Sequence, residues 1–162
     1  MRVHSFKEQA VFKKSGGEIR NVAYIAQELV TGGELLRYIA TGAFSESVCK
    51  YFFSQMLDSV EYIHSQGIAH RDLKVENILL SKQDNFRVKI IDFGLACPLK
   101  GTDGSGILHD VLGTRSSMAP EISALESYQG RPVDIYALGV ILFFMHSGHR
   151  PFESSSMDDY RF

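Results

Sequence analysis

Two short segments constrain this chain more than any other feature of it. His70-Arg71-Asp72-Leu73-Lys74-Val75-Glu76-Asn77 follows a long helical pattern and precedes an apolar run, Ile78-Leu79-Leu80. Further on, the strand-like Val88-Lys89-Ile90-Ile91 leads into Asp92-Phe93-Gly94. The segments read H-R-D-x-x-x-x-N and D-F-G, and Met118-Ala119-Pro120-Glu121 closes the stretch beyond them. An Asp and an Asn at such a spacing mean little alone, since most such pairs are turns or caps. Matches at fixed offsets across both segments are far more specific, because phosphoryl transfer needs these parts together. One carboxylate must receive or orient the proton of an acceptor hydroxyl, and Asp72 fits that role. A second carboxylate and an amide oxygen must hold magnesium, which neutralises charge on the phosphates, and Asp92 with Asn77 fits that one.

On these residues the chain resembles the eukaryotic protein kinase family, on its serine/threonine side because of Lys74. Thr31-Gly32-Gly33-Glu34-Leu35 and Gly139-Val140-Ile141-Leu142 make it most similar to calcium/calmodulin-dependent and related kinases. The resemblance runs from residue 10 to residue 152. It implies an α+β, protein kinase-like fold that is mostly the helical large lobe. Residues 1–28 would be a remnant strand hairpin of the small lobe, 29–33 the hinge, 34–153 a partial large lobe and 154–162 a tail. It also implies ATP and Mg²⁺ as cofactors.

The resemblance assigns roles position by position. Lys74 would approach the transferred phosphate, where a fixed positive charge stabilises the transition state. His70 would pack under the magnesium-binding loop. Thr114 would bond the catalytic Asp and Lys, and Ser117 stands where the family usually has an aromatic wall for the acceptor pocket. Glu28 and Val30 would read the adenine edge with their backbone, beside Glu34, with Gln27 at the back of that pocket. Asp134 would accept backbone N–H bonds from the catalytic loop. Asp110 stands where many members carry a phosphothreonine paired with the arginine matching Arg71. It is expected to replace that phosphate in part, with charge −1 against about −1.5 to −2. Cys97 occupies the place of a second basic residue. Glu34 and Glu76 match acidic positions that read an arginine before the acceptor, so substrates with Arg or Lys before Ser or Thr are expected. Carboxylate–guanidinium pairing can be bidentate and discriminates well.

The chain between these motifs reads simply. Ala10-Val11-Phe12-Lys13 and Val22-Ala23-Tyr24-Ile25-Ala26 are strands joined by turn chemistry at Ser15-Gly16-Gly17-Glu18. Lys13 is not read as the family's phosphate-contacting strand lysine, because residues 14–27 leave no room for the helix that should follow. A short helix begins at Glu34 and closes at Gly42. Ser45 then caps a long helix ending before Gly67. Val48, Phe52, Met56, Val60 and Ile63 recur there at helical spacing, flanked by Phe53 and Leu57, and read as core. Lys100-Gly101-Thr102-Asp103-Gly104-Ser105-Gly106 reads as a mobile loop. Its Thr102 and Ser105 are candidate regulatory hydroxyls. Pro132 opens the last helix, whose stretch from Ile135 to Met145 is apolar on nearly every face and is expected to be buried. The tail from Ser154 to Asp159 is polar and expected to fray.

Composition excludes some classes. A net charge of −2 argues against a nucleic-acid binder. The longest apolar run is too short to span a bilayer, so no membrane partner is expected. Cys49 and Cys97 lack metal or redox spacing and read as reduced thiols in the cytoplasm. No apolar leader stands at the start of the chain. The chain shows neither the family's glycine-rich loop nor its strand lysine. Residues 1–162 alone are therefore expected to bind Mg-ATP weakly, and a partner is expected over the incomplete large lobe. Beside the kinase reading stands an alternative, a non-catalytic remnant acting as a binding module.

Overall fold

The computed structural model describes residues 1–155 and 159. Of the tail expected to fray, positions 156–158 lie outside the described residues. The chain divides into two units, Met1–Val30 and Thr31–Phe162.

The first unit is an antiparallel hairpin of β1 (Val3–Lys13) and β2 (Ile19–Gln27). Its turn closes through Gly17 N–H to Lys14 O and Lys14 N–H to Glu18 O, both 2.9 Å. No helix lies between Lys13 and Glu28. β1 begins well before the strand expected from residue 10. The polar run Lys7-Glu8-Gln9 interrupts the apolar alternation, and the register shifts there, between Lys7 and Ala10. A bulge thus absorbs what the pattern reads as a strand end.

The second unit begins with α1 (Leu35–Ile39) and α2 (Glu46–Ser65). β3 (Ile68–Ala69) leads into the loop that carries Asp72 and a 3₁₀ turn over Val75–Asn77. The hairpin β4 (Ile78–Ser81) and β5 (Arg87–Ile90) follows, then β6 (Cys97–Pro98), α3 (Pro120–Ser123) and α4 (Gly130–Ser147). One core gathers Leu35 and Ile39 of α1, Met56 and Val60 of α2, Ile78 and Leu80 of β4, and Leu138, Ile141 and Met145 of α4. A second, smaller one joins Leu108, Ala119, Ile122, Tyr128 and Val133.

Four expectations need correction. The buried stripe of α2 starts at Cys49, while Val48 and Leu57 are exposed. A thiol carries little weight in a hydrophobic pattern, yet free cysteine is among the most buried residue types. The Ser45 hydroxyl shares a bond with the Ser47 hydroxyl and makes no cap bond to the backbone. α4 starts at Gly130, before Pro132, and buries one face only: Val133, Asp134, Ala137, Leu138, Ile141 and Met145 are buried, whereas Ile135 and Phe143 are exposed. α2, β3 and the 3₁₀ turn over Arg115–Ser117 pack against this helix, and its Val133 enters the second core. Ser155 also departs from a frayed tail. It is buried, and its hydroxyl donates to the Met118 carbonyl.

The loop before α1 is strapped to β4. Leu80 N–H donates to Gly33 O (2.9 Å), and the Tyr38 hydroxyl donates to Gly32 O (2.7 Å). A Cβ on Gly32 would stand 1.9 Å from Leu80 O. That contact is with backbone and cannot be relieved by a rotamer change. Gly32→Ala should therefore cost about 1–3 kcal/mol in denaturant unfolding, as overpacking does. Gly16→Ala, with nothing within 4 Å of the added methyl, serves as the neutral comparison. Equal midpoints for the two variants would contradict this packing.

Candidate active site

Backbone pairing brings the two motifs together. β3 pairs antiparallel with β6, Ala69 opposite Cys97, just beyond Asp92-Phe93-Gly94. Leu99 N–H donates to Gly67 O (2.7 Å), and Ile91 N–H donates to Asn77 O (3.0 Å). The loop between is shaped by a buried carboxylate on α4. Asp134 is 1% exposed and accepts His70 N–H at Oδ2 (2.9 Å) and Arg71 N–H at Oδ1 (2.8 Å). His64, at the end of α2, bonds the same Oδ2 through Nε2 at 2.8 Å. Arg71 sits at φ +65°, a left-handed conformation that costs a non-glycine residue about 1–2 kcal/mol. The bonds to Asp134 hold the loop there.

The His70 ring is fully buried. Its Nε2 donates to Ile91 O (3.0 Å), Nδ1 accepts Asp72 N–H (3.3 Å), and the ring centroid lies 4.8 Å from that of Phe93. It thus packs beneath the Asp92 segment, and both ring nitrogens are occupied.

Asp72 is held on both oxygens. Oδ1 accepts Thr114 N–H (3.0 Å) and the Thr114 hydroxyl (2.8 Å). Oδ2 accepts Lys74 Nζ (2.7 Å) and Asn77 Nδ2 (3.2 Å), and Asn77 Nδ2 also reaches Asp72 O (2.9 Å). Lys74 Nζ donates in turn to Thr114 Oγ1 (2.8 Å). Thr114 can approach so closely because Gly113, at φ +114°, lies against the Arg71 carbonyl, where a Cβ would stand 2.9 Å from the oxygen. The structure therefore brings Asp72, Lys74, Asn77 and Thr114 into one cluster. Ser117, buried, donates from its hydroxyl to Thr114 O (3.2 Å) and offers no wall of its own.

Asp92 is at φ +61°, with Oδ1 accepting Gly94 N–H (3.1 Å). The Asn77 amide nitrogen is committed to Asp72, which leaves its oxygen as the group able to ligate. A carboxylate and an amide oxygen are hard donors of the kind magnesium takes, so the residues present fit that ion.

The Arg71 side chain, 7% exposed, donates from Nε to Leu95 O (2.8 Å) and from Nη1 to Asp110 Oδ2 (3.1 Å) and the Tyr128 hydroxyl (3.3 Å). The Tyr128 hydroxyl donates onward to Asp110 O (2.8 Å). Burial pulls the guanidinium pKa down, but its bonds to Tyr128 and Asp110 outweigh this and raise it. Burial raises the Tyr128 phenol, against a smaller opposing pull from Arg71. Burial likewise raises the Cys97 thiol beside them.

Each of the other candidate residues is placed by its own element. Glu28 and Val30 end the hairpin unit, where Glu28 Oε1 accepts Arg2 N–H (2.6 Å). Glu34 opens the second unit as the N-cap of α1 and bridges Leu79. Glu76 is not an open carboxylate, because Arg150 Nη2 donates to its Oε1 at 2.7 Å. The loop expected to be mobile closes on itself: Gly106 N–H donates to Lys100 O (2.8 Å), and Ser105 Oγ donates to Asp103 Oδ1 (2.8 Å). Bonds from the Ser105 amide and hydroxyl hold the fully exposed Asp103 carboxyl below its usual range. Ser105 is thus engaged, while Thr102 is exposed. Sequence reasoning misses His64, Tyr128 and Arg150. Each lies far in sequence from the residue it bonds, and no local pattern marks it.

A family model described as "Protein kinase domain" matches residues 7–161. The chain belongs to the protein kinase domain family. It is similar to CBL-interacting protein kinase 26 of Oryza sativa subsp. japonica, 40% identical over 134 residues, which are 83% of this chain and 27% of that protein. It is similar to CBL-interacting serine/threonine-protein kinase 15 of Arabidopsis thaliana, 40% identical over 134 residues, 83% of this chain and 31% of that protein. It is 39% identical to CBL-interacting protein kinase 31 of Oryza sativa subsp. japonica over 148 residues, 91% of this chain and 32% of that protein. The chain thus spans about a third of the length of these curated relatives.

Proposed function

We propose that this chain carries the acceptor side of a serine/threonine protein kinase, which transfers the γ-phosphate of ATP to protein Ser and Thr hydroxyls. The observation that supports this most is the Asp72 carboxylate, pinned on both oxygens by Lys74, Asn77 and Thr114. Asp72 accepts the proton of the incoming hydroxyl. Lys74 supplies a fixed positive charge beside it, and Thr114 holds both in register. Asp92 and the Asn77 amide oxygen would hold Mg²⁺, which when bound would neutralise charge on the phosphates. Glu28, Val30 and Glu34 belong to the nucleotide end of this reading. Two unpaired thiols, Cys49 and Cys97, favour a reducing, cytoplasmic setting. The apolar groove of about 480 Å³ between α2 and α4, lined by Cys49, Phe53, Leu142 and Phe143, favours a protein surface that covers it.

The test is to supply the intact protein with Mg-ATP and a Ser/Thr peptide library. Labelled phosphate on Ser or Thr supports the reading. Nucleotide or protein binding without transfer would instead favour the binding module.

Regulation follows from Arg71. Asp110 takes the place of a phosphorylated side chain, and Thr102 and Ser105 offer modification sites in the adjoining loop. The Asp110 carboxylate is 65% exposed, so its pair with Arg71 is worth little and is screened by salt. Tyr128 is buried, and its hydroxyl bonds both Arg71 and the Asp110 backbone. Tyr128→Phe should therefore lower transfer by about two- to tenfold, the span of an ordinary buried hydrogen bond. Asp110→Ala should lower it by no more than about fivefold. Steady-state rates of both variants check this order, and a larger effect at Asp110 would reverse the assignment.

A further inference from the structure

We infer that Arg150 is a specificity-determining residue: an internal guanidinium that occupies Glu76 and competes with a basic side chain of the substrate. The inference rests on the kinase reading above and deepens it, since Glu76 is one of the two glutamates expected to read Arg or Lys before the acceptor.

Glu76 lies in the 3₁₀ turn between buried Val75 and buried Asn77, so its backbone is fixed by the catalytic loop. A small cleft beside it is lined by Lys74, Glu76, Ser116, Ser117, Phe144 and Arg150. The cleft therefore adjoins the hydroxyl-activating cluster through Lys74, which bonds Asp72, and through Ser117, which bonds Thr114. Arg150 arrives from beyond the end of α4. Its Nη2 donates to Glu76 Oε1 at 2.7 Å, and its guanidinium carbon lies 5.5 Å from the centroid of the Phe144 ring. Two contacts of different kinds hold the cation in place, so it is no chance surface neighbour.

The strength of this hold decides what it does. Glu76 is 32% exposed and Arg150 is 37% exposed, so water and salt screen the pair. A single N–H joins them, to one carboxylate oxygen. A substrate guanidinium can offer two parallel bonds to a carboxylate, which are stronger and more directional than one. Arg150 can thus be displaced, at a cost. It weakens the selection of basic substrates and does not abolish it. Glu34 has no such internal cation among the described residues, so the two acidic positions are unequal. The wild-type protein relies on Glu34 and uses Glu76 only against competition.

The experiment uses the intact protein and two Ser peptides that differ only in Arg or Ala at the upstream position reading Glu76, found by scanning an arginine along the peptide. Dissociation constants are measured by fluorescence anisotropy, and kcat/KM in parallel. Arg150→Leu keeps an apolar contact with Phe144, and Arg150→Ala removes it. Both should raise the preference for the Arg peptide by about threefold to thirtyfold, the combined range of an exposed ion pair and an exposed cation–π contact. Glu76→Gln should remove that gain in the double variant. An unchanged preference in Arg150→Leu, or a gain that survives Glu76→Gln, overturns the inference. Absence of phosphate transfer to either peptide would count against the kinase reading, and the binding ratio would still decide the role of Arg150.

Discussion

Replacing Asp72 by asparagine should lower phosphate transfer by about a hundred- to ten-thousand-fold, the usual contribution of a positioned general base. The substitution is isosteric, so the effect isolates chemistry from shape. The new side chain would keep one carbonyl oxygen able to accept from Thr114, whose amide and hydroxyl both bond Oδ1 of the native carboxylate. Its amide nitrogen would then face Lys74 Nζ and Asn77 Nδ2, two donors that now share Oδ2. Lys74 is 24% exposed and can turn to water. The stability cost is therefore about one ordinary hydrogen bond, about 1 kcal/mol, or about 2–4 °C in melting temperature for a chain of this size. The expected result is a protein that folds and has lost transfer. Single-turnover transfer to a Ser peptide measures the first quantity and thermal unfolding the second. Asp92→Ala is the companion variant. It should affect stability less still, and the loss of its carboxylate should appear as weaker dependence on added magnesium. Transfer within about twofold of wild type for Asp72→Asn would remove the general-base role, since proton transfer by a positioned group is worth far more.

What can be read in advance follows a physical division. The catalytic loop and the Asp92 segment are legible because their chemistry needs particular side chains at fixed offsets, and short-range spacing survives in sequence. Asp134 is legible for a related reason: a carboxylate inside an apolar helix demands partners. The helices α1, α2 and α4 follow from apolar periodicity and glycine positions, and the β4–β5 hairpin from its two apolar runs. Failures arise where burial depends on partners remote in sequence. Val48 fits the stripe of α2 as well as Cys49 does, and only the packing of α4 chooses between them. α4 itself looks apolar all round, yet the number of its faces that find a neighbour depends on elements elsewhere. β1 reads short because a bulge mimics a strand end. The same limit hides the site's supporting residues. Nothing near Tyr128 or Arg150 announces a bond to Arg71 or to Glu76, and in the second case the missed partner changes how the glutamate is read.

The largest stability loss in the molecule should follow Asp134→Ala. This carboxylate accepts three bonds in a site where it is 1% exposed: from the backbone of His70, from the backbone of Arg71 and from the His64 ring. Alanine removes every acceptor at once. His70 N–H is buried with its residue, and water reaches the site poorly, so each orphaned donor costs about 1–3 kcal/mol. The donors share one carboxylate and their losses are not additive, which puts the total at about 3–5 kcal/mol, as when a buried pair loses one member. Against a typical stability of about 5–15 kcal/mol this is a large fraction. It corresponds to about 10 °C in melting temperature. The loss should also be local in character. Arg71 holds φ +65° only while its amide is tied down, so the loop carrying Asp72 should relax first. Hydrogen exchange at the His70 and Arg71 amides should then accelerate more than exchange in the middle of α2. His64→Ala separates the two halves of the arrangement, because it deletes one bond to Oδ2 and leaves both backbone bonds intact. It should cost about 1–2 kcal/mol, and the double variant should be little worse than Asp134→Ala alone, since one acceptor serves both. Fully additive losses, or an Asp134→Ala variant within about 1 kcal/mol of wild type, would mean that the catalytic loop is held by something other than this carboxylate.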